Sequence, residues 1–251
     1  MLATRDGIDL YYETEGSGET VAFVGEAGYG AWQWGWQHGA VAGPYRALAY
    51  DHRGTGRSDA PEGPYDIATL AADLESVLVD AGADAAHLVG LGLGGAVALA
   101  YARRYGRARS LTLVGTAADG ARFDDAAFAA LGDPGVETAL SESFRASHPD
   151  VVEGIASWRD GDASPETFRA QRNALAEFDV SDALYEWSLP ALVLHGAADA
   201  VVPRDAGADL ADGLPRGEFQ SFDGAGHLVT VERSRPVNDA LLAFLAAQSE
   251  S

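Results

Sequence analysis

The sequence predicts an α/β fold, a mostly parallel sheet with helices on both faces. Short apolar or β-branched runs alternate along the chain with longer segments of helical period, the pattern of strands joined by crossover helices. Val21–Val24 and the first four residues of Ala191–His195 carry no polar residue, as strands buried on both faces require. The rhythm breaks once, between about Asp119 and Trp187, where helical patches occur without a convincing strand.

Taken in order, Ile8-Asp9-Leu10-Tyr11-Tyr12 alternates as a half-buried strand does. Val21–Val24 is a buried strand that stops at Gly25, and Tyr45–Tyr50 another that stops at Asp51. The spacing of Leu70, Leu74, Val77 and Leu78 predicts a helix over Ile67–Ala81, ended by Gly82. His87–Val89 is a strand running into a glycine cluster, and Ala96–Tyr105 a helix ending at Gly106. Ser110–Val114, Ala191–His195 and Glu218–Phe222 are further strands, and Val237–Ala247 a closing helix. Pro134, Pro149 and Pro165 punctuate the strandless stretch, which is expected to be a helical cap, residues 119–187, inserted in a single domain spanning 1–251.

Composition narrows the function. With 47% hydrophobic residues the chain can bury a substantial core. No apolar run approaches the roughly 18 residues that span a bilayer, and Met1–Gly7 lacks a basic-then-apolar leader, so a soluble intracellular protein is expected. Cysteine is absent, which excludes disulfides, thiolate metal sites and cysteine nucleophiles. Acids number 38 against 17 basic residues, all arginine, for a net charge of −21. Such a charge disfavours nucleic acid and anionic membranes as partners and leaves a small molecule. It also suits a cytoplasm of high salt, where self-repulsion is screened.

Four loops carry candidate chemistry. Gly90-Leu91-Gly92-Leu93-Gly94-Gly95 lies between a strand and a helix. It satisfies G-x-G-x-x-G, but no acid follows until Asp119, beyond the end of the next strand, so the dinucleotide fingerprint lacks its confirming context. A tight turn without function would read the same. Asp199 follows a buried strand, in Leu194–Pro203, and His227 closes Gly224-Ala225-Gly226-His227 after the last strand. Both therefore stand at strand C-terminal ends, where α/β sheets place their chemistry. Gly25-Glu26-Ala27-Gly28-Tyr29-Gly30 follows the second strand, and Asp51–Asp59 is a turn-rich loop whose glycines and Asp/Arg pairing suit a structural role, His52 included. Trp32, Trp34 and Trp36 alternate with Gln33, Gly35 and Gln37, so one face could line a pocket or simply pack.

At these loops the chain resembles the α/β-hydrolase superfamily nearly end to end. Within it the chain is most similar to 3-oxoadipate enol-lactonases and related small esterases, through Ser58–Ile67 and Thr116-Ala117-Ala118. The resemblance implies a nucleophile elbow at 90–95, with serine at the position Gly92 occupies, followed in order by Asp199 and His227. Gly90, Gly94 and Gly95 let strand and helix approach. Asp199 would orient His227, the general base, and the N–H groups of Ala27 and Leu93 would form the oxyanion hole. Ester or lactone hydrolysis is implied, without metal or organic cofactor. Gly92 has no hydroxyl, and three explanations stay open: an introduced serine-to-glycine change, a ligand-binding relative without turnover, or His227 acting directly on water or a substrate proton, with glycine leaving room for that water. Glu26 is odd beside an oxyanion hole. Either it points away to pair with an arginine, or it is a buried acid with a raised pKa, which could serve with His227 in a proton-transfer or lyase enzyme on the same fold. Pocket candidates are Glu26, Trp32, Phe144, Trp158 and Phe168.

Overall fold

Asp6 and Gly7 both take positive φ, 53° and 79°, and close a two-residue hairpin between β1 (Leu2–Arg5) and β2 (Ile8–Glu15). An Asp-Gly turn of this kind matches the twist of antiparallel strands. The structure is a computed structural model describing residues 1–134 and 136–249. Gly135, inside the expected cap, and the last two residues of the expected 1–251 domain lie outside the described residues.

The chain continues through β3 (Thr20–Val24), α1 (Gly35–Val41) and β4 (Arg46–Tyr50). Next come α2 (Ile67–Asp80), β5 (Ala86–Leu91), α3 (Leu93–Arg104) and β6 (Ala108–Val114). Between β6 and β7 stand α4 (Asp125–Ala130), α5 (Glu142–Ser147), α6 (Pro149–Trp158) and α7 (Pro165–Ala176). A bridge between Asp119 and Asp179 ties the two ends of this helical segment together. β7 (Ala191–Gly196), α8 (Arg204–Gly213), β8 (Gly217–Phe222), α9 (Val229–Glu232) and α10 (Ser234–Ser249) complete the fold.

The eight strands form one sheet in the order β1-β2-β4-β3-β5-β6-β7-β8. β1 and β2 pair antiparallel, β2 pairs antiparallel with β4, and all the others are parallel. β3, β5 and β7 are buried throughout, which accounts for their largely apolar sequences, and Thr20, His87 and His195 are buried with them. The strand order reverses at β3, whose neighbours β4 and β5 lead the chain to opposite sides. Loops leaving β3 and β5 therefore diverge and open a crevice at their C-terminal ends.

Two helices begin three residues earlier than their spacing predicts. α3 starts at Leu93 because Gly92, at φ +53°, turns the chain straight from β5 into the helix. The neighbouring glycines are steric: a Cβ at Gly94 would strike the Val24 carbonyl, and one at Gly90 the Gly94 carbonyl. α10 starts at Ser234 because Pro236 falls in its first turn, where no N–H is required. The tryptophan stretch folds as a 3₁₀ turn (Ala31–Trp34) and the start of α1, and Trp34 is buried against Phe23. Among the described residues no helix is long and apolar enough to cross a membrane.

Candidate active site

Four strand ends converge on one spot. Glu26 leaves β3, Gly92 leaves β5, Asp199 follows β7 and His227 follows β8. The Asp199 carboxylate is fixed by its own turn, Oδ1 accepting from the N–H groups of Val201 (2.8 Å) and Val202 (3.0 Å). Its other oxygen, Oδ2, lies 2.9 Å from His227 Nδ1. The expected dyad is thus in hydrogen-bond contact, with both side chains removed from solvent.

Glu26 overturns the expectation that it points away to an arginine. Its side chain is buried and turned into the site, with Oε2 2.7 Å from His227 Nε2. Oε1 accepts from the N–H groups of Ala27 (2.5 Å) and Leu93 (3.0 Å), the two donors expected to serve a substrate oxyanion. Nor is the side-chain position of Gly92 free for a water. A Cβ at that residue would overlap Glu26 Oε2 at about the length of a covalent bond, so the carboxylate fills the place of a side chain at 92.

A buried carboxylate is costly unless paired and hydrogen-bonded, and here both conditions are met. Leu93 is the first residue of α3, so Oε1 also sits at the positive end of a helix. The unlike charge is His227. Burial alone would discharge the ring, but Asp199 and Glu26 flank its two nitrogens and raise its pKa from 6.5 to about 10. The ring's two nitrogens, 2.9 Å from Asp199 Oδ2 and 2.7 Å from Glu26 Oε2, are placed to donate to both side chains in the charged form that this setting favours.

The loop carrying Glu26 is held by side chains that sequence reading passed over. Gln33 Oε1 accepts from the Glu26 N–H (2.9 Å), while its amide donates to the carbonyls of Tyr29 and Gly30. Gln171, from α7, accepts from the Gly28 N–H (2.6 Å) and donates to Arg53 O and Thr55 Oγ1. Polar residues at these spacings look like solvent-facing positions, and nothing local marks them as buried. Arg53 pairs not within its own loop, as expected, but with the buried Asp73 of α2, at 2.6 Å to each oxygen. His52 is structural, with Nε2 3.0 Å from the Gly25 carbonyl.

On the far side, Glu232 joins the histidine loop to the helical segment. Oε1 accepts from the N–H groups of Ser141 (2.6 Å) and Gly226 (3.0 Å), and Oε2 from the Ser141 hydroxyl (2.7 Å). The Leu228 N–H donates to Ala139 O beside it.

Of the other pocket candidates, Phe168 borders a cavity of about 230 Å³ with Gly28, Tyr29, Leu131 and Arg159. Trp32 donates its indole N–H to Asp162 Oδ1 at 2.7 Å, and Phe144 stacks on His148. Trp158, against expectation, faces solvent: it is 48% exposed and packs its edge on Trp36 at the surface, because α6 turns that face outward.

A parallel sheet reversing at β3, with acid, histidine and a tight strand–helix turn at its strand ends, defines a class: the chain belongs to the α/β-hydrolase superfamily. Within it the family is the one described as serine aminopeptidase, S33, whose model matches residues 41–234. A RutD protein of Azorhizobium caulinodans, to which carbamate hydrolysis is ascribed, is 30% identical over 250 residues, covering 94% of each chain. Its counterpart from Variovorax paradoxus is 34% identical over 262 residues, 96% of this chain and 97% of its own. The crystal structure of an enol-lactonase from Burkholderia xenovorans matches 98% of this chain and 100% of its own with a TM-score of 0.88 at 24% identity, a likeness of fold. A thermophilic esterase from Thermogutta terrifontis gives 0.86 at 28% identity, covering 98% of this chain and 97% of its own.

Proposed function

We propose that this chain is a hydrolase of small organic electrophiles in which the Glu26 carboxylate stands in for the serine that the family resemblance implies at residue 92. Asp199, His227 and Glu26 then form the catalytic set. The observation that carries this is the placement of Glu26 Oε2, which fills the side-chain position of Gly92 and meets His227 Nε2 at 2.7 Å. A serine hydroxyl in an elbow makes the same contact to its base. Glycine at 92 is the complement of Glu26, since any larger residue would displace the carboxylate.

His227 is not a free base in this arrangement. Its imidazolium must lose the charge of Glu26 before it can take a proton from water. Carboxylate attack does this, because ester formation neutralises Glu26. The test is turnover of a panel of small esters, lactones and alkyl substrates in molar KCl by the native chain, Glu26→Gln and His227→Gln. Native turnover that falls by orders of magnitude in Glu26→Gln supports the assignment; undiminished turnover in that variant rejects it.

A second reading is a ligand-binding frame without turnover. It draws on the burial of Glu26, Gly92 and His227 and on Glu26 seating itself on two N–H donors as a product acid would. Silence of the native chain across the panel would favour it. The charge of −21 supports a working environment of high salt for either.

A further inference from the structure

We propose that Glu26 attacks a saturated carbon bearing a leaving group rather than an acyl carbon, so that the substrate is an alkyl electrophile. This rests on the assignment of Glu26 as nucleophile and follows from how its two oxygens are held.

Attack on an acyl carbon throws negative charge onto the substrate's carbonyl oxygen, which needs preorganised donors at that moment. The donors beside Glu26 are the N–H groups of Ala27 and Leu93, and Glu26 Oε1 occupies both, at 2.5 and 3.0 Å. To free them the carboxylate would have to leave the contacts that position it. Displacement at a saturated carbon makes no such demand. Oε2 forms a bond to that carbon, the carbon's bond to its leaving group breaks, and the leaving group departs with the electron pair. The charge moves from Glu26 to the departing anion, while Oε1 stays in its seat as the carbonyl oxygen of a glutamyl ester.

The same seat then serves the second step. His227, relieved of one of its two flanking charges, gives its proton to solvent. It next accepts a proton from a water whose oxygen attacks Glu26 Cδ. The tetrahedral oxyanion develops on Oε1, already between the Ala27 and Leu93 N–H groups. Collapse breaks the bond between Cδ and Oε2; the alkoxide takes the proton from His227 and leaves as an alcohol, Glu26 carries one oxygen from water, and the proton left on its new carboxyl passes to His227, restoring the carboxylate and the imidazolium. Overall, alkyl electrophile and water give alcohol and the protonated leaving group.

A small cavity lies next along the Glu26 loop, lined from Gly28 onward rather than by Glu26 itself. It begins at Gly28, one residue beyond the Ala27 donor, and at about 230 Å³ it falls below the range of drug-sized sites. Tyr29, 2% exposed, lines it, and its hydroxyl has no hydrogen-bond partner among the described residues. Burial raises its pKa, so it remains a donor, suited to a departing anion.

The experiment uses 1-bromobutane as the alkyl probe and p-nitrophenyl acetate as the acyl probe. His227→Gln incubated with 1-bromobutane should gain the mass of one butyl group, on the peptide containing Glu26. The native chain turning over 1-bromobutane in water labelled with heavy oxygen should acquire that label at Glu26, and Glu26→Gln should not. The labelling arm needs no variant that could misfold. Acetylation of Glu26 by the acyl probe without butylation or label from 1-bromobutane would overturn the alkyl assignment and leave the Glu26 nucleophile standing. No modification of Glu26 by either probe, with no heavy oxygen incorporated, would overturn both.

Discussion

Placing serine at residue 92 should be intolerable in the native chain and tolerable once Glu26 is removed. A non-glycine residue at φ +53° carries backbone strain of about 1–3 kcal/mol. The serine would also expel the Glu26 carboxylate and strand two buried donors, the N–H groups of Ala27 and Leu93, while its hydroxyl replaces Glu26 at His227 Nε2. Each stranded donor costs about 1–3 kcal/mol. Even the lower ends come to about 3 kcal/mol, a large share of a stability of about 5–15 kcal/mol. Glu26→Ala already strands these two donors and His227 Nε2, so adding Gly92→Ser to it should cost the strain and give His227 back a partner. The two substitutions should therefore couple by about 3 kcal/mol. Urea unfolding of the four chains at one KCl concentration measures the coupling, and p-nitrophenyl acetate hydrolysis should appear in the double variant and not in Gly92→Ser. Additivity within about 0.5 kcal/mol would refute the claim that Glu26 and a side chain at 92 compete for one place.

His227, raised from 6.5 to about 10, stabilises the fold fully below pH 6.5, and that contribution fades as pH rises through about 10; the ring-carbon NMR shift should report a midpoint well above 6.5, lowered in Glu26→Gln, and a native midpoint near 6.5 would remove the imidazolium from the site. Asp73→Ala leaves the Arg53 guanidinium, 9% exposed, without its bidentate acid, and should cost about 3–5 kcal/mol in chemical denaturation; a loss under 1 kcal/mol would make the pair peripheral. Molar KCl should raise the Tm, because screening shortens from about 10 Å at 0.1 M to about 3 Å at 1 M; a Tm equal in dilute buffer would separate the charge of −21 from salt adaptation.

The strands and the large helices were readable because a sheet buried on both faces demands largely apolar runs, as in β3, β5 and β7. α8 was not foreseen: Gly207 lies against the His195 ring, and Ala206, Leu210 and Ala211 make too sparse a buried stripe to stand out. β1 was also passed over, although its Asp6-Gly7 turn is an explicit hairpin cue. Asp199 and His227 were legible from their places after β7 and β8. The orientation of Glu26 was not, because a loop carboxylate is ordinarily solvent-facing. Only the joint geometry of β3, β5 and β8 sets two backbone donors and an imidazolium around it. The helper residues Gln33 and Gln171 were hidden for a related reason: their partners are main-chain atoms of distant loops, which leave no trace in side-chain patterning.

The Glu232 junction has a mechanical consequence. One carboxylate grips Ser141 at the start of α5 and Gly226 beside His227. A swing of the helical segment away from the sheet must therefore break the anchor that sets the pitch of the histidine loop. The aim of the imidazole at Glu26 is thus tied to the seating of the helical segment: a substitution that loosens Ser141 from Glu232 acts on His227 without touching it.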